Sequence, residues 1–581
     1  MSAPTVTSQT RDEGHSRRLR IPGAAGWVRT GVSVASGIAL YAANPPRDLW
    51  WLAPLAFALF AGTVHGRRGR AGFGHGVLFG AAYMLPLLGW IQDFLGAQFG
   101  PWPWLGVVLV EAAFFGLAGA GMALVSRLPG SAVWMAAVFV LAESLRGSLP
   151  FGGFPWGRLA FTQPTGGLLP LASVGGAALV TFAVALVGCG LAELVLRARD
   201  TRKRLIAPAA AVLVPVIAGM SLWPTVGTQP QAGTARVALV QGNAPNIGLD
   251  LLYADDTLHD NHIRGARQLI ADVQTGRVAR PDLVLLPEQV GNWGPTRYDP
   301  ELSRITDQLG VPVVAGGFAV DRDGSFRNRI VQFDPGSGAG AEYAKQHLVP
   351  FAETIPMRSV ARLVSPFVDR FQQDMVPGAG PGVLDSGPVR LGVGLCYDVA
   401  YDDVFTGAAR QGATLLAVPT NNAWYGHSEM SWHHLAMSRL RAVETGRAVV
   451  VPATSGVSAI IRPDGVIADR TGQFTAQNVS GEVPLRTERT MATSLGGAPG
   501  WVLSLLGAGA LVATGLRRRR SANAQPGGGD DAHPSGDDEA QPGRSDDAPP
   551  DHSDDPRPSR SDIARPGRGD IARPSRGDDE N

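Results

Sequence analysis

Cysteine is nearly absent: Cys189 and Cys396 are the two in 581 residues. They stand in segments of different character, so no bridge between them is expected. A disulfide scaffold is excluded, and no zinc cluster can be built from cysteine. Charge is scarce as well, at 17% of residues against about 25% in an ordinary soluble chain. The formal net charge of +1 argues against a general nucleic-acid binder, which carries a basic footprint. His433 and His434 have no acidic partners at metal-ligand spacing, so no metal and no other cofactor is expected. The length suits three or four average domains, and their characters differ sharply.

Residues 1–26 are polar and basic, with Arg11, Arg17, Arg18 and Arg20, and read as a cytoplasmic N-terminus. No short apolar core with a small-residue cleavage site follows directly, so a cleaved signal peptide is not expected. Residues 27–224 form a succession of apolar stretches, at 27–44, 49–65, 72–92, 103–125, 131–148, 166–196 and 205–223. Each approaches the roughly 20 residues a helix needs to cross a bilayer. An eighth, Trp501–Leu516, lies within 496–520 and runs into Arg517–Arg520. Basic residues cluster before span 1, between spans 2 and 3, between 4 and 5, and between 6 and 7. By the positive-inside rule both ends of this eight-span bundle are then cytoplasmic, and residues 225–495 lie outside.

That outer segment alternates short apolar runs with polar helical patterns: Val237–Gln241, Leu283–Leu286, Val311–Ala315, Leu391–Leu395, Leu415–Val418 and Val449–Pro452. Runs of this length bounded by turn residues are buried strands of an α/β domain. Residues 521–581 are rich in Asp, Pro, Gly, Ser and Arg and repeat DIARPGRG as DIARPSRG at 562–577. Without large apolar groups they cannot bury enough surface to fold, and a disordered tail is expected.

Three polar residues close strand-like runs in the α/β segment. Cys396 ends Leu391–Leu395, where a nucleophile at a strand-to-helix elbow faces backbone N–H groups; a buried packing cysteine fits the segment equally well. Glu288 follows Leu283–Pro287 and could take a thiol proton, or could simply favour a helix N-terminus. Lys345, in a domain that otherwise uses arginine, could hold an oxyanion or lie on the surface. The order Glu-Lys-Cys, with 57 residues from 288 to 345 and 51 from 345 to 396, resembles the nitrilase or carbon–nitrogen hydrolase superfamily. The segments Pro419–Gly426, Arg439–Arg447 and Ser455–Ser458 match as well.

With the apolar region included, the chain resembles the apolipoprotein N-acyltransferase family. The motifs are Lys345–Glu353 (KQHLVPFAE), Cys396–Asp398 (CYD), Asn422–Gly426 (NAWYG) and Gly152–Gly157 (GGFPWG), with an outside domain between spans 7 and 8. The resemblance covers roughly residues 30–517. It implies a nitrilase-like α-β-β-α sandwich attached to a multi-pass helical bundle in the cell membrane. It implies Glu288 as base, Lys345 as oxyanion lysine and Cys396 as nucleophile, with Glu353 and Tyr397 in support. Asp398 stands where the family usually has glutamate, and Asn422 where it often has aspartate. The family's Lys-Trp pair downstream of Val237–Asn243 is missing, and Trp293 is the candidate to take that tryptophan's place. The implied reaction moves an acyl chain from a phospholipid to a diacylglyceryl-modified apolipoprotein through a thioester, among membrane lipids; a monomer is the default expectation and no part of the resemblance.

Two rivals share parts of this pattern. A membrane-tethered amidase would use the same three residues with water, but a tether needs one span. A transporter or receptor would leave Cys396 replaceable, and spans 1–7 show no paired internal repeats. Within the spans, Glu143 is expected to pair with Arg146 one turn on. Glu111 is an intramembrane carboxylate of unassigned purpose, and Cys189 is expected to pack.

Overall fold

The structure, a computed structural model, describes residues 24–96, 99–244, 248, 255–364, 368–369 and 373–523. The expectations for the basic segment ahead of residue 24 and for the tail beyond residue 523 lie outside the described residues.

The apolar region is helical where its pattern predicts. The helices are α1 (Ala24–Ala42), α2 (Leu52–Val64), α3 (Gly69–Leu87), the short α4 (Trp90–Leu95), α5 (Trp102–Val125), α6 (Ser131–Arg146), α7 (Ala172–Leu196) and α8 (Arg202–Leu222). Among the described residues four stretches are long and apolar enough to cross a membrane: Trp102–Val125, Leu169–Leu196, Arg202–Thr225 and Ala498–Arg520. The over-long sixth run, 166–196, is explained by its start. Leu169–Leu171 is a 3-10 turn, and Gly175 and Gly176 break the first turns of α7, Gly176 at φ +65°.

Glycine spacing fixes how closely the helices approach. Gly72, Gly76 and Gly80 lie four residues apart and form one stripe of α3. A Cβ on Gly76 would sit 2.2 Å from the Phe115 carbonyl oxygen, and one on Gly119 2.4 Å from that of Gly72. Small residues of this spacing let backbones meet where lipid supplies no hydrophobic drive.

The remaining segment is a sandwich. Its elements are β1 (Thr234–Gln241), α9 (Asp255–Gln274), β2 (Leu283–Leu285), β3 (Gly291–Trp293), α10 (Pro300–Leu309), β4 (Val313–Val320), β5 (Phe326–Asp334) and β6 (Gly338–Ala344). There follow α11 (Arg358–Val364), β7 (Gly382–Ser386), β8 (Val389–Val393), α12 (Asp402–Arg410), β9 (Leu415–Ala417), α13 (Met430–Thr445), β10 (Val449–Val451), β11 (Ala459–Ile461), β12 (Ile467–Arg470), β13 (Gln477–Pro484), α14 (Met491–Leu495) and α15 (Ala498–Asn523). One sheet runs β13-β1-β2-β4-β5-β6, with β3 also on β4; the other runs β12-β11-β10-β9-β8-β7. The central pairs are parallel and the edges antiparallel.

Alternation along β1 shows why the layers form. Val237 and Leu239 point between the sheets, onto Leu391, Val393 and Leu415, whereas Ala238 and Val240 face α9 and α10 with Ile263 and Leu302. Strands buried on both faces read as continuous apolar runs, which is how six of them announced themselves in the sequence. The outer face of the second sheet carries α12 and α13. Their apolar residues, such as Val404, Phe405, Leu440 and Val443, belong to the same buried cluster as Phe57, Phe60, Met122 and Val184 of the bundle. The bundle core therefore continues into the sandwich.

Charges lock this junction. Arg158, just after the 151–157 loop, binds Asp402 at 2.7 Å; Arg441 binds Asp402 at 2.8 Å and Glu444 at 2.5 Å. Glu444 accepts the Ala177 N–H at the broken turn of α7, at 3.3 Å. Arg47 meets Glu429 with both guanidinium nitrogens, at 2.6 and 2.8 Å. The expected Glu143–Arg146 pair does not form. Arg146 crosses to Glu111 on α5 at 2.6 Å and donates to the Phe154 and Trp156 carbonyls, at 2.9 and 2.7 Å. Glu143 accepts from Leu159 N–H and Thr181 hydroxyl, each at 2.8 Å. Three carbonyl and carboxylate acceptors outbid a single neighbour one turn away.

Gly76→Ala is expected to destabilise the bundle by about 1–3 kcal/mol through overpacking. Gly74→Ala, on the same helix with open space around its Cβ, should leave stability unchanged or slightly improved. Thermal unfolding of the two variants in detergent checks this, and equal melting temperatures would refute the close α3–α5 approach.

Candidate active site

Glu288, Lys345 and Cys396 come together at the ends of β2, β6 and β8, all three nearly sealed from water at 5%, 2% and 5% exposure. Each is delivered by its strand. Gly316 lies under Glu288, where a Cβ would stand 2.7 Å from the Glu288 Cα. The Lys345 N–H bonds the Asn328 carbonyl at 2.9 Å. Cys396 turns out of β8 at φ +46°, a left-handed conformation that costs a non-glycine residue about 1–3 kcal/mol and persists only where its surroundings hold it. Its N–H bonds the Pro419 carbonyl at 2.9 Å, and its carbonyl accepts from His434 Nε2 at 2.8 Å.

The Lys345 ammonium donates to Glu288 at 3.3 Å and to Glu353 at 2.9 Å. Asn328 Nδ2 bridges the same two carboxylates, at 2.7 and 2.8 Å. Asn421 N–H holds the other Glu288 oxygen at 2.9 Å, and Val349 N–H the other Glu353 oxygen at 2.8 Å. Burial opposes charge on Glu288, yet Lys345 and the donors from Asn328 and Asn421 hold its carboxyl below the usual range. Burial likewise opposes the Lys345 ammonium, and the Glu288 and Glu353 carboxylates outweigh it, so its pKa lies above the usual value. The Cys396 thiol is pushed up by burial and by the Glu288 charge, against the pull of Lys345 and a hydrogen bond from Thr420. The resting set is a carboxylate, an ammonium and a neutral thiol, which needs a base to become a nucleophile.

Tyr397 faces the bundle. Its ring stacks on Phe154 and Trp156, with centroids 6.1 and 6.5 Å apart, and its hydroxyl donates to the Gly153 carbonyl at 3.3 Å. Arg146 grips the same loop from the membrane side. Asp398 is fully bonded: one oxygen takes the Tyr343 hydroxyl and Leu395 N–H, the other the His347 N–H, all at 2.9 Å. The shorter acid thus ties β6, the Lys345 loop and the Cys396 turn together.

Trp293 is not part of this set. Its indole lies in the core under α9 and α10 against Phe333, with its N–H on Asp299 at 3.3 Å. β3 continues the sheet past Glu288 and carries the side chain to the helical face. Trp424 instead reaches the residue next to Glu288, its Nε1 donating to Gln289 at 2.8 Å. Asn422, in the family's aspartate position, is buried, with Nδ2 3.3 Å from the Met430 sulfur. Asn328, Thr420, Asn421 and His434 went unassigned from the sequence. Thr420 and Asn421 sat inside a motif that had been recognised, whereas Asn328 lies mid-strand with no local signal.

Comparison with known proteins follows the same division. The sequence model described as "Apolipoprotein N-acyltransferase N-terminal domain" matches residues 36–190, and that described as "Carbon-nitrogen hydrolase" matches residues 283–493. An apolipoprotein N-acyltransferase of Mycolicibacterium smegmatis is 37% identical over 84% of this chain and 86% of its own length. This chain belongs to the apolipoprotein N-acyltransferase family. Family proteins of Azotobacter vinelandii and Chromobacterium violaceum are 30% and 31% identical, over 86% and 83% of this chain and 97% and 92% of their own. The family's two named parts thus fall on either side of the charged junction at Arg158, Asp402, Arg441 and Glu444.

Replacing Asn328 by Leu removes a donor that favours ionised Glu288. The Glu288 pKa should then rise, and the acid limb of the rate profile, set by protonation of the base, should move to higher pH. Turnover at neutral pH should fall by about 10-fold or more, within the range a positioned base contributes. A kcat profile against pH, unchanged in Asn328→Leu, would remove Asn328 from the site.

Proposed function

We propose that this chain transfers a fatty acyl group from a membrane phospholipid to the α-amine of the N-terminal diacylglyceryl-cysteine of apolipoproteins, with Cys396 as the acyl carrier. One observation carries the reading: the buried Glu288–Lys345–Glu353 set surrounds a thiol whose next residue, Tyr397, packs on a loop of the helical bundle.

In the first half-reaction Glu288 takes the Cys396 proton and the thiolate attacks the ester carbonyl carbon. Lys345 and backbone N–H groups bear the oxyanion. The C–O bond breaks, the departing alkoxide takes the proton from Glu288, and a lysophospholipid leaves a thioester on Cys396. In the second, the acceptor amine attacks the thioester and gives its proton to Glu288. The C–S bond breaks, and the thiolate regains a proton as the amide departs. Donor and acceptor occupy the site in turn, so ping-pong kinetics follow. Glu353 and Asn328 keep Lys345 and Glu288 charged and in place between the halves.

Both substrates are anchored by acyl chains, at about 0.8 kcal/mol for each buried CH₂. A sandwich whose core continues into a bundle receives them from the bilayer without extracting them. We read eight helices, α1–α3, α5–α8 and α15, as spans. The loops bearing Arg67–Arg70 and Arg127 meet at one end, where Arg127 donates to the Gly66 carbonyl at 2.9 Å. The loops at Arg47 and 151–157 meet the sandwich at the other. That arrangement supports cytoplasmic termini and a sandwich on the outer side. One chain supplies every member of the site, so we take the monomer as the working unit.

Mass spectrometry of a lipoprotein N-terminus, in cells lacking their own N-acyltransferase, tests the reading. A third acyl chain should appear with the intact chain and vanish with Cys396→Ala. Its absence with intact, membrane-resident protein, or its persistence in Cys396→Ala, would overturn the assignment.

A further inference from the structure

Three consecutive residues handle the reacting groups from one side. The Pro419 carbonyl takes the Cys396 N–H at 2.9 Å, Thr420 Oγ1 donates to the Cys396 sulfur at 3.3 Å, and Asn421 N–H donates to Glu288 at 2.9 Å. The middle contact is the one that touches the nucleophilic atom. We propose that Thr420 is a catalytic residue, its hydroxyl holding the Cys396 thiolate as it attacks in the first half-reaction and as it leaves in the second. This rests on Cys396 being the nucleophile.

Four features support it. Thr420 is fully buried, and among the described residues its hydroxyl makes no other hydrogen bond, so nothing competes for its proton. Its backbone is pinned on both sides: Thr420 N–H bonds the Pro452 carbonyl at 3.0 Å, and Thr454 N–H bonds the Thr420 carbonyl at 3.2 Å. A β-branched side chain on a fixed backbone has little χ1 freedom, so the hydroxyl is already aimed. Glu288 and Glu353 take two of the three N–H groups of the Lys345 ammonium, and the third serves the oxyanion in the proposed mechanism. A thiolate formed in this dry space therefore meets a neutral donor that is preset and uncommitted.

The contact is worth most where the sulfur is charged. A hydrogen bond to a neutral thiol or thioester sulfur is weak, and one to a thiolate is charge-assisted and stronger. The hydroxyl thus favours the charged sulfur over both of its neutral states, which is the differential binding that raises turnover. It accepts no proton and leaves Glu288 as base.

The test uses full-length protein in detergent micelles, with Thr420→Val, Thr420→Ser and Cys396→Ala. Alkylation of Cys396 by iodoacetamide is followed across pH by mass spectrometry of its peptide, alongside acyl transfer from phospholipid. Thr420→Val should move the alkylation profile to higher pH and lower kcat by about 10- to 100-fold, the range for a hydrogen bond to a charged group, at an unchanged KM for phospholipid. Thr420→Ser should restore both to within about threefold. A Thr420→Val protein that alkylates and turns over like the parent overturns the proposal. So does a Thr420→Ser protein as impaired as Thr420→Val, since a hydroxyl at this position would then not restore the reaction. If Thr420→Val does not fold, Thr420→Ala against Thr420→Ser asks the same question with a pair that differs by one oxygen. Acyl transfer surviving in Cys396→Ala would sink the nucleophile assignment itself, a result separate from an inert Thr420.

Discussion

An ammonium that is all but sealed from water must be surrounded by its counter-charges or lose its proton, and the site is organised around that requirement. Lys345 stays cationic because Glu288 and Glu353 flank it, and those carboxylates stay anionic because Lys345, Asn328 and two backbone N–H groups face them. Removing any one member leaves a buried charge without its partner, which is costlier than never having buried the pair. The thiol is the uncharged member, and its neutrality at rest follows from the same arithmetic: a second anion beside Glu288 in a dry site is disfavoured until a substrate carbonyl arrives to take the electrons.

Holding such a set requires elements that do not move, and the sandwich supplies them from different strands. Glu288 and Cys396 follow strands buried between the layers, Lys345 follows the edge strand β6 just after the buried Tyr343, and Asp398 ties the last two together through Tyr343 and His347. The bundle completes the enclosure from below. The loop 151–157 is gripped by Arg146 inside the bundle and by Tyr397 and Tyr401 from the sandwich, with Trp156 between them. The same few residues therefore join the bundle to the turn that carries Cys396.

Much of this was legible in advance. The six apolar runs read as strands became β1, β2, β4, β8, β9 and β10, because central strands buried on both faces carry uninterrupted Val, Leu and Ala. The antiparallel strands β5 to β7, β12 and β13 escaped, since polar residues interrupt them, as in Phe326–Asp334, and β11 escaped because its apolar run is three residues long. Glu288 and Cys396 were visible because each ends such a run; Lys345 follows β6, outside the six runs, and stood out because Lys203 and Lys345 are the chain's only lysines. Asn328 was not visible, because a polar residue inside an alternating strand looks like its solvent-facing neighbours until the facing loop is known. Trp293 misled through nearness along the chain to Glu288, where the pleat turned it toward α10. Arg146 misled likewise, since helical spacing offers Glu143 but says nothing of a carboxylate on another helix.

The junction charges carry a last consequence, for how such a chain can change over generations. Arg158 belongs to the bundle, whereas Asp402, Arg441 and Glu444 belong to the sandwich, and Arg441 also holds the Val399 and Ala400 carbonyls behind the nucleophile turn. A catalytic half transplanted onto a foreign bundle, or released as a free enzyme, would carry this cluster with its +1 partner missing and its α12–α13 surface laid bare. Recombination at this boundary would therefore break the support of the Cys396 turn along with the junction itself.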